Sequence, residues 1–301
     1  MKTPTALPTL CWTPLSLIHK EPYAAIARTA PSPGADHAFS NLYLWNDLYH
    51  HSLAFLGDRV AVRFGAIGDY QYLFPIGTGD LHPAIDALLS AERSLRLVAL
   101  TEQELTELLE AYPDTFEVTE TRDIADYLYG AESLATLAGK KLHGKRNHIN
   151  AFSAAHQWSV APLTPADFDT CRSILAAWGA EHEGDSVENE RIAAERAFGA
   201  FERLELQGAL LTADGSPVAF TAGSMITQDT LCVHFEKALP AFGGAYPVIN
   251  REFVRLMRES FPSLTTVNRE DDMGLANLRA AKLSYRPTAL LRKFTAVASM
   301  R

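Results

Sequence analysis

The sequence has few cysteines. Its 301 residues include three, Cys11, Cys171 and Cys232. They are odd in number and far apart, which excludes both a disulfide framework and a zinc knuckle built on paired cysteines. Sparse, unpaired thiols are typical of a reducing compartment, so we expect a cytoplasmic protein.

The sequence also lacks long apolar runs and an excess of positive charge. No run approaches the roughly 18–20 apolar residues that span a bilayer, and the N-terminus lacks the features of a secretory leader. We therefore expect a soluble chain with, at most, peripheral membrane contact. The net charge of −9 at pH 7 argues against broad binding to nucleic acid, but it leaves room for a small basic patch.

Several motifs are missing as well. The sequence contains no Gly-x-Ser-x-Gly elbow, phosphate-binding P-loop or dinucleotide fingerprint, so the enzymes that depend on them are not indicated. The pair His50-His51 has no partner at metal-ligand spacing, and the acidic run at 270–272 has no alternation of ligands. We predict no metal site from the sequence.

One segment concentrates positive charge against the acidic background. Residues 139–150 include four permanent positive charges at positions 140–146. A helix here places Lys141, Lys145 and His148 on one face, at i, i+4 and i+7. Together with Arg146, these donors suit phosphate recognition. A plain solvated helix face is the alternative.

The order of predicted elements repeats along the chain. The same series is predicted over the first half and again after a strand at Trp158;. It consists of two helices, three strands, a helix, a strand, a helix and a strand. This order is expected of the acyltransferase fold built round a splayed mixed sheet. We predict an α+β chain with two tandem GNAT-like (acyl-CoA N-acyltransferase-like) domains, at 1–122 and 158–301, joined by a basic helical connector at 123–157.

Four tracts resemble the bacterial DUF2156 family. They are Asp126–Tyr129 running into the basic segment, Val267–Leu275 continued by Leu278–Pro287, Phe39–Trp45, and Phe74–Gly77. This family is similar to the C-terminal catalytic domain of phosphatidylglycerol lysyltransferases, which has two tandem GNAT-like domains and moves an amino acid from aminoacyl-tRNA to a lipid. Fem-type peptidoglycan aminoacyltransferases share that architecture. The sequence lacks the multi-span membrane region of the lysyltransferases, so the resemblance implies the transfer chemistry more than the lipid acceptor.

The strand predicted at 230–237 carries the first candidate catalytic group. Alternation sends Cys232, His234 and Glu236 to one face, near the strand end where this fold opens its cleft;. The Glu236 carboxylate could take a proton from an incoming ammonium or hydroxyl group. A half-buried strand with one polar face is the alternative.

Gly243 and Gly244 precede a predicted helix that carries Arg251. Two glycines before a helix let backbone N–H groups approach a phosphate, and the helix dipole favours that charge. Acetyl-CoA-dependent relatives of the fold carry a basic residue before these glycines, and here none occurs from Leu239 onward. Coenzyme A is therefore held differently or is not the donor, and a plain glycine turn is the alternative.

A polar run follows the next short strand. One carboxylate of Glu270 or Asp271 could bind the α-ammonium of an aminoacyl group, with Asn268 orienting it. Arg269 could pair with a carboxylate or contact phosphate. Helix capping is the alternative interpretation of the acidic residues.

Tyr285 follows Lys282 and lies where this fold often places a tyrosine that protonates a leaving group;. Ordinary packing of the ring is the alternative. The catalytic candidates are Glu236, Asn268, Glu270, Asp271 and Tyr285, and the substrate-binding candidates are Lys141, Lys145, Arg146, His148, Gly243, Gly244, Arg251, Arg269 and Lys282.

The leading hypothesis is an aminoacyltransferase that moves an amino acid from aminoacyl-tRNA to a lipid, peptide or small-molecule acceptor by direct attack. The tRNA acceptor end is the expected partner, anionic membrane lipid is a further one, and no tightly bound cofactor is expected. One alternative is a GNAT-type N-acyltransferase using acetyl- or acyl-CoA on an amine. Another is a non-catalytic module that docks on RNA or anionic lipid. The amino acid, the acceptor and the oligomeric state do not follow from the sequence.

Overall fold

The structure is a computed structural model that describes residues 8–181 and 185–299. The described residues form two compact units, one of residues 8–125 with 291–299 and the other of residues 126–181 with 185–290. Each unit has its own sheet and its own core.

The first unit is built on a mixed sheet of strand order β1-β2-β3-β4-β6-β15-β7, with β5 paired to β3. Its strands are β1 Thr13–Pro14, β2 Ser52–Leu56, β3 Arg59–Ala66, β4 Asp69–Leu73, β5 Ile76–Gly77, β6 Arg96–Leu100, β7 Phe116–Glu120 and β15 Phe294–Ala298. Its helices are α1 Lys20–Ala27, α2 Phe39–Leu44, α3 Asn46–Tyr49, α4 His82–Ala91 and α5 Glu102–Ala111. Leu97 and Leu100 of β6 pack with Ile85, Leu88 and Leu108 of α4 and α5, and all five are fully buried.

The second unit is built on a sheet of strand order β14-β8-β13-β12-β11-β10-β9. Its strands are β8 Asp126–Gly130, β9 Trp158–Pro162, β10 Gln207–Ala213, β11 Ser216–Met225, β12 Thr230–Ala238, β13 Thr266–Asn268 and β14 Ala289–Leu291. Its helices are α6 Ala131–Thr136, α7 His143–Ala155, α8 Phe168–Gly179, α9 Asp185–Ala200, α10 Ala245–Ser260 and α11 Ala276–Leu283.

The core of the second unit is organised by α10. Val248, Ile249, Phe253 and Met257 recur at helical spacing, form one apolar stripe and are buried;. They share a cluster with Phe152 of α7 and with inward residues of the central strands. The stripe fixes α10 against the sheet and so sets the position of the polar residues on the same helix.

The predicted α+β class and the repeated order of helices and strands are confirmed. The compact units, however, divide the chain at other points than the predicted domains. Residues 126–130 form β8 and pair antiparallel with β13, so this part of the predicted helical connector is a strand of the second unit. The end of the predicted second domain forms two strands, β14 and β15, and β15 lies between β6 and β7 in the first sheet. Long-range strand pairing, which leaves no local signal, decides both differences.

Candidate active site

Two neighbouring strands of the second unit separate part-way along their length. β12 and β13 run parallel and their pairing extends to Cys232 and Asn268, whereas β12 continues to Ala238. We call the region between the two strands beyond this point the cleft. Its walls carry Glu236 on β12 and Arg269 directly after β13, and these two side chains meet across it.

A β-bulge changes which residues of β12 share a face. Val233 and Phe235 pair with adjacent residues of β11, so His234 is the extra residue of the bulge;. The register after the bulge puts Glu236 on the side of α10, where Asn250 bonds it. The prediction from strict alternation that His234 and Glu236 lie on one face is therefore wrong.

The carboxylate of Glu236 is held at both oxygens. Asn250 Nδ2 donates to Oε2 over 2.9 Å, and Arg269 Nη2 donates to Oε1 over 2.7 Å. The side chains of Glu236 and Arg269 are 9% and 13% exposed. Burial lowers the pKa of Arg269, but Glu236 together with Tyr285 and Tyr129 outweighs burial, and the net pKa is raised;. Both oxygens are thus engaged by donors, which suits an orienting role better than the predicted role of base;.

Lys145 brings the basic segment to this cleft. Its Nζ lies 3.9 Å from the centre of the Tyr285 ring, and the guanidinium carbon of Arg269 lies 4.8 Å from the same ring;. Burial and then the charge of Arg269 lower the pKa of Lys145 to about 8, with Glu236 opposing them. Tyr285 is buried, and burial raises its pKa. A lysine that is partly neutral near physiological pH thus lies beside a protonated tyrosine.

The other basic residues of the segment are placed differently. A 3₁₀ turn covers Lys140–Leu142 and leads directly into α7 at His143, so the segment is helical as predicted, with Lys141 in the 3₁₀ turn rather than on α7. Lys141 and His148 are exposed. Arg146 donates from Nη1 to two backbone carbonyl oxygens of the loop before the turn. Arg146, predicted to bind phosphate, therefore braces the loop.

The two glycines before α10 differ in whether their position could accept a side chain. Gly244 has a φ of +97°, and a Cβ there would lie 2.9 Å from the carbonyl oxygen of His148. The space around a Cβ on Gly243 is open to 4 Å. Gly244 is thus needed for the left-handed backbone and for the close approach of α7. Arg251, predicted to reach an anion at these glycines, pairs through Nε with Glu252 Oε1 at 2.6 Å.

Two of the predicted site residues shape the loop after β13. Asn268 is fully buried; its Nδ2 donates to Asp126 Oδ2 over 2.8 Å, and its Oδ1 accepts from the backbone N of Glu270 over 2.6 Å. Lys282 Nζ donates to two backbone carbonyl oxygens of the same loop. Burial lowers the pKa of Lys282. Asn268 and Lys282 therefore stabilise the conformation of the loop after β13, which carries Arg269.

The acidic residues of this loop have different environments. Asp271 Oδ1 accepts from the backbone N of Met273 over 2.9 Å within the loop. The N-cap residue of α11 is Leu275 and has no side-chain cap, so the helix-capping alternative is wrong. Asp272 is fully buried and accepts two hydrogen bonds, each of 2.9 Å, from the guanidinium of Arg279. The side chain of Glu270 instead contacts Cys232 and His234 of β12.

Sequence reasoning missed a polar cluster on the opposite side of β12 from Glu236. His234 Nδ1 lies 2.9 Å from Glu270 Oε1, and its Nε2 lies 2.9 Å from Ser224 Oγ. Cys232 Sγ lies 3.5 Å from the same Glu270 oxygen. Ser224 is brought in by its pairing with Cys232 across the two strands, and no spacing in the sequence signals that contact.

The family follows from comparison with known proteins. The sequence profile of the family described as phosphatidylglycerol lysyltransferase, C-terminal, matches residues 27–297. The chain belongs to this family. The resemblance predicted from the motifs is thus confirmed.

Solved structures agree with the fold. A conserved protein of unknown function from Bacteroides thetaiotaomicron is 33% identical, with a TM-score of 0.91 over 97% of this chain and 100% of that one. L-PGS from Bacillus licheniformis is 15% identical, with a TM-score of 0.64 over 93% and 92% of the two chains. A tandem GNAT protein from the clavulanic acid biosynthesis pathway is 11% identical, with a TM-score of 0.52 over 97% and 99%. The GNAT-like fold is therefore confirmed.

A curated relative, an uncharacterised protein of Mycoplasmoides gallisepticum, is 26% identical over 179 residues. The match spans 56% of this chain and 54% of that protein, about half the length of the relative. Within the described residues, none of the helices combines the length and the apolar character needed to cross a membrane.

Proposed function

We propose that this protein transfers an aminoacyl group from aminoacyl-tRNA to an amine or hydroxyl acceptor by direct attack in the cleft between β12 and β13. The observation that carries the proposal is the position of Lys145, which has a pKa lowered to about 8 and lies beside the Glu236–Arg269 ion pair. A general base works best when its pKa is near the operating pH. The family of the chain supports the same chemistry.

Glu236 and Asn250 form the binding site for the α-ammonium of the aminoacyl group. Asn250 is 1% exposed, and its Nδ2 faces the Glu236 carboxylate, which fixes the orientation of the amide;. Its Oδ1 is buried with no hydrogen-bond partner among the described residues. An unsatisfied buried acceptor costs about 1–3 kcal/mol, and an ammonium donor next to Glu236 would supply the missing bond.

Lys145 and Tyr285 carry the protons in the proposed reaction. The acceptor nitrogen or oxygen attacks the ester carbonyl, and its proton passes to neutral Lys145. The ester C–O bond breaks, and the 3′-oxygen of the tRNA leaves with the proton of Tyr285. A proton released by the Lys145 ammonium and one taken up by the tyrosinate, exchanged through solvent, restore both groups. Arg269 stabilises the negative charge that develops on the carbonyl oxygen.

The exposed basic residues next to this cleft bind the tRNA. Lys140, Lys141 and His148 are exposed on the turn and helix that also hold Lys145. Their positive charge stands out in a chain of net charge −9. Contacts to phosphates of the acceptor end would guide the aminoacyl ester to the cleft and make binding depend on salt.

The test is a transfer assay with a mixture of radiolabelled aminoacyl-tRNAs. Separate arms contain phosphatidylglycerol vesicles, small amines or no acceptor, and label is followed into product and into hydrolysed amino acid. We expect transfer of one amino acid or a small group of them. Binding of no aminoacyl-tRNA, together with no transfer in any arm, overturns the proposal. A thermal shift with acetyl-CoA that tRNA does not produce would instead favour the N-acyltransferase.

Matched variants separate chemistry from binding. Lys145→Met removes the proposed base, and Lys141→Met removes one charge from an exposed position of the same segment. We expect the first to lower kcat by about 10²-fold or more, while the second raises KM and leaves kcat near wild type. Glu236→Gln should raise KM for the aminoacyl donor, and Glu259→Gln, an exposed carboxylate on α10, is its control.

A further inference from the structure

Cys232, His234 and Glu270 bring three ligand atoms of different chemistry to one point. His234 Nδ1 and Glu270 Oε1 are 2.9 Å apart, Cys232 Sγ and Glu270 Oε1 are 3.5 Å apart, and Cys232 Sγ and His234 Nδ1 are 3.7 Å apart. Cys232 is fully buried, the His234 side chain is 1% exposed, and the Glu270 side chain is 23% exposed. Within the part of the chain that the structure describes, this is the group whose potential ligand atoms all lie within 4.8 Å of one another.

These separations suit a tetrahedral metal ion. Zinc binds sulfur at about 2.3 Å, histidine nitrogen at about 2.0–2.1 Å and carboxylate oxygen at about 2.0–2.2 Å, so ligand atoms at tetrahedral angles lie roughly 3.3–3.6 Å apart. Both distances from Cys232 Sγ are close to that range. The distance between His234 Nδ1 and Glu270 Oε1 would widen by roughly 0.4 Å, which a small rotation of the partly exposed carboxylate provides.

The backbone prepares Glu270 for this position. Its φ is +56°, a left-handed conformation that is costly for a residue with a side chain;. The conformation is held on both sides, because its N–H donates to Asn268 Oδ1 over 2.6 Å and its carbonyl accepts from Tyr127 N over 3.1 Å. The strained residue therefore presents its carboxylate to β12 in a fixed direction.

Ser224 completes the surroundings of the histidine. Its Oγ lies 2.9 Å from His234 Nε2. A histidine that binds a metal through one ring nitrogen normally donates from the other to an oxygen, which fixes the tautomer. The same contacts without a metal form a Ser–His–Glu hydrogen-bonded chain. A metal ion would in addition take Cys232 Sγ, 3.5 Å from Glu270 Oε1, as a third ligand.

We propose that Cys232, His234 and Glu270 bind one divalent transition-metal ion, with Zn²⁺ preferred, and that a fourth coordination position opens on the exposed side of Glu270. A thiolate, an imidazole and a carboxylate together suit zinc and exclude magnesium or calcium, which take oxygen ligands. Three protein ligands with one open position are the arrangement of zinc sites that take a water or a substrate atom. The site lies on the side of β12 opposite to Glu236. The proposal does not depend on the proposed aminoacyl transfer.

The test uses the full chain after treatment with a chelator. Titration with Co²⁺, followed by absorption spectroscopy, should give the visible bands of tetrahedral cobalt and a thiolate-to-cobalt charge-transfer band. Both should saturate at one Co²⁺ per chain, and added Zn²⁺ should remove them. Cys232→Ser should abolish the charge-transfer band, while Glu270→Gln and His234→Gln weaken Zn²⁺ affinity at least tenfold. Ser224→Ala should weaken it by about 10–100-fold.

Cys171→Ser is the matched control. Cys171 is also a buried free cysteine of this unit, and burial raises the pKa of its thiol to about 12. Its replacement should leave the cobalt spectrum unchanged. The wild-type titration decides the proposal even where a variant fails to fold. A wild-type spectrum without a thiolate band, or one that Cys232→Ser leaves intact, overturns it. Since no tRNA is present, this outcome is separate from that of the transfer assay.

Discussion

The ammonium of Lys145 lies 3.9 Å from the centre of the Tyr285 ring. The ring also contacts Arg269, whose charge is not lost at any accessible pH;. Two cations on one buried ring repel each other, and Lys145 is the one that can release its proton. The contact thus links the basic segment of α7 to the ion pair at the strand separation, and it makes the charge of that link depend on pH.

Lys145 should make stability depend on pH. Its pKa falls from 10.5 to about 8 on folding, so between these values the unfolded chain binds more protons and the free energy of unfolding rises with pH. The stability of wild type relative to Lys145→Met should therefore increase from about pH 7.5 to about pH 9.5. Urea unfolding at both pH values measures it, with Lys141→Met as the control for a lost charge. A constant or falling difference would contradict the lowered pKa.

The Glu236–Arg269 pair should be costly to break from either side. Removal of one partner leaves the other charge buried, which costs about 3–5 kcal/mol. Glu236→Gln and Arg269→Gln should each destabilise the protein by about that amount, while the double variant should lose less than the sum. The exposed pair Arg191–Glu188 on α9 is the control, where Glu188→Gln should cost less than about 1 kcal/mol;. Additive losses in chemical unfolding would mean that the two residues are not coupled.

Gly244 and Gly243 offer a test of the contact between α7 and α10. An alanine at 244 meets both the positive φ and the carbonyl oxygen of His148. We expect Gly244→Ala to lower the free energy of unfolding by about 1–3 kcal/mol. Gly243→Ala, with open space around its Cβ, should stay within about 0.5 kcal/mol of wild type;. Equal losses for both variants would show that the close approach is absent.

Local patterns predicted much of the fold. The stripe of Val248, Ile249, Phe253 and Met257 defines α10 by its helical spacing, and the observed helix begins directly after Gly244. Such signals depend only on residues within a few turns of one another. The repeated order of helices and strands predicted the tandem arrangement, and the family resemblance agreed with it.

What the sequence could not predict depends on partners far along the chain. The bulge at His234 is set by pairing with β11, where a Cβ on Gly223 would collide with the carbonyl oxygen of Cys232. Alternation counted along one strand therefore misassigned the faces of His234 and Glu236. The same applies to Glu270, whose side chain meets His234 across two strands 36 positions apart.

Variants of Arg146 and Lys141 should distinguish a residue that stabilises the loop from one that contacts tRNA. The sequence predicted the same phosphate-binding role for both residues. Arg146 Nη1 donates to the carbonyl oxygens of Leu137 and Gly139, so Arg146→Ala should cost about 1–2 kcal/mol of stability as these acceptors lose a charged donor;.

Lys141 is exposed, so Lys141→Ala should leave stability near wild type. The slope of log affinity for tRNA against log salt should become shallower by roughly 0.7–0.9, the amount expected for one lost phosphate contact. Filter binding over a salt series and chemical unfolding, applied to both variants, measure the two effects. If Arg146→Ala flattens the salt slope without a loss of stability, Arg146 binds phosphate and its bonds to the loop are incidental.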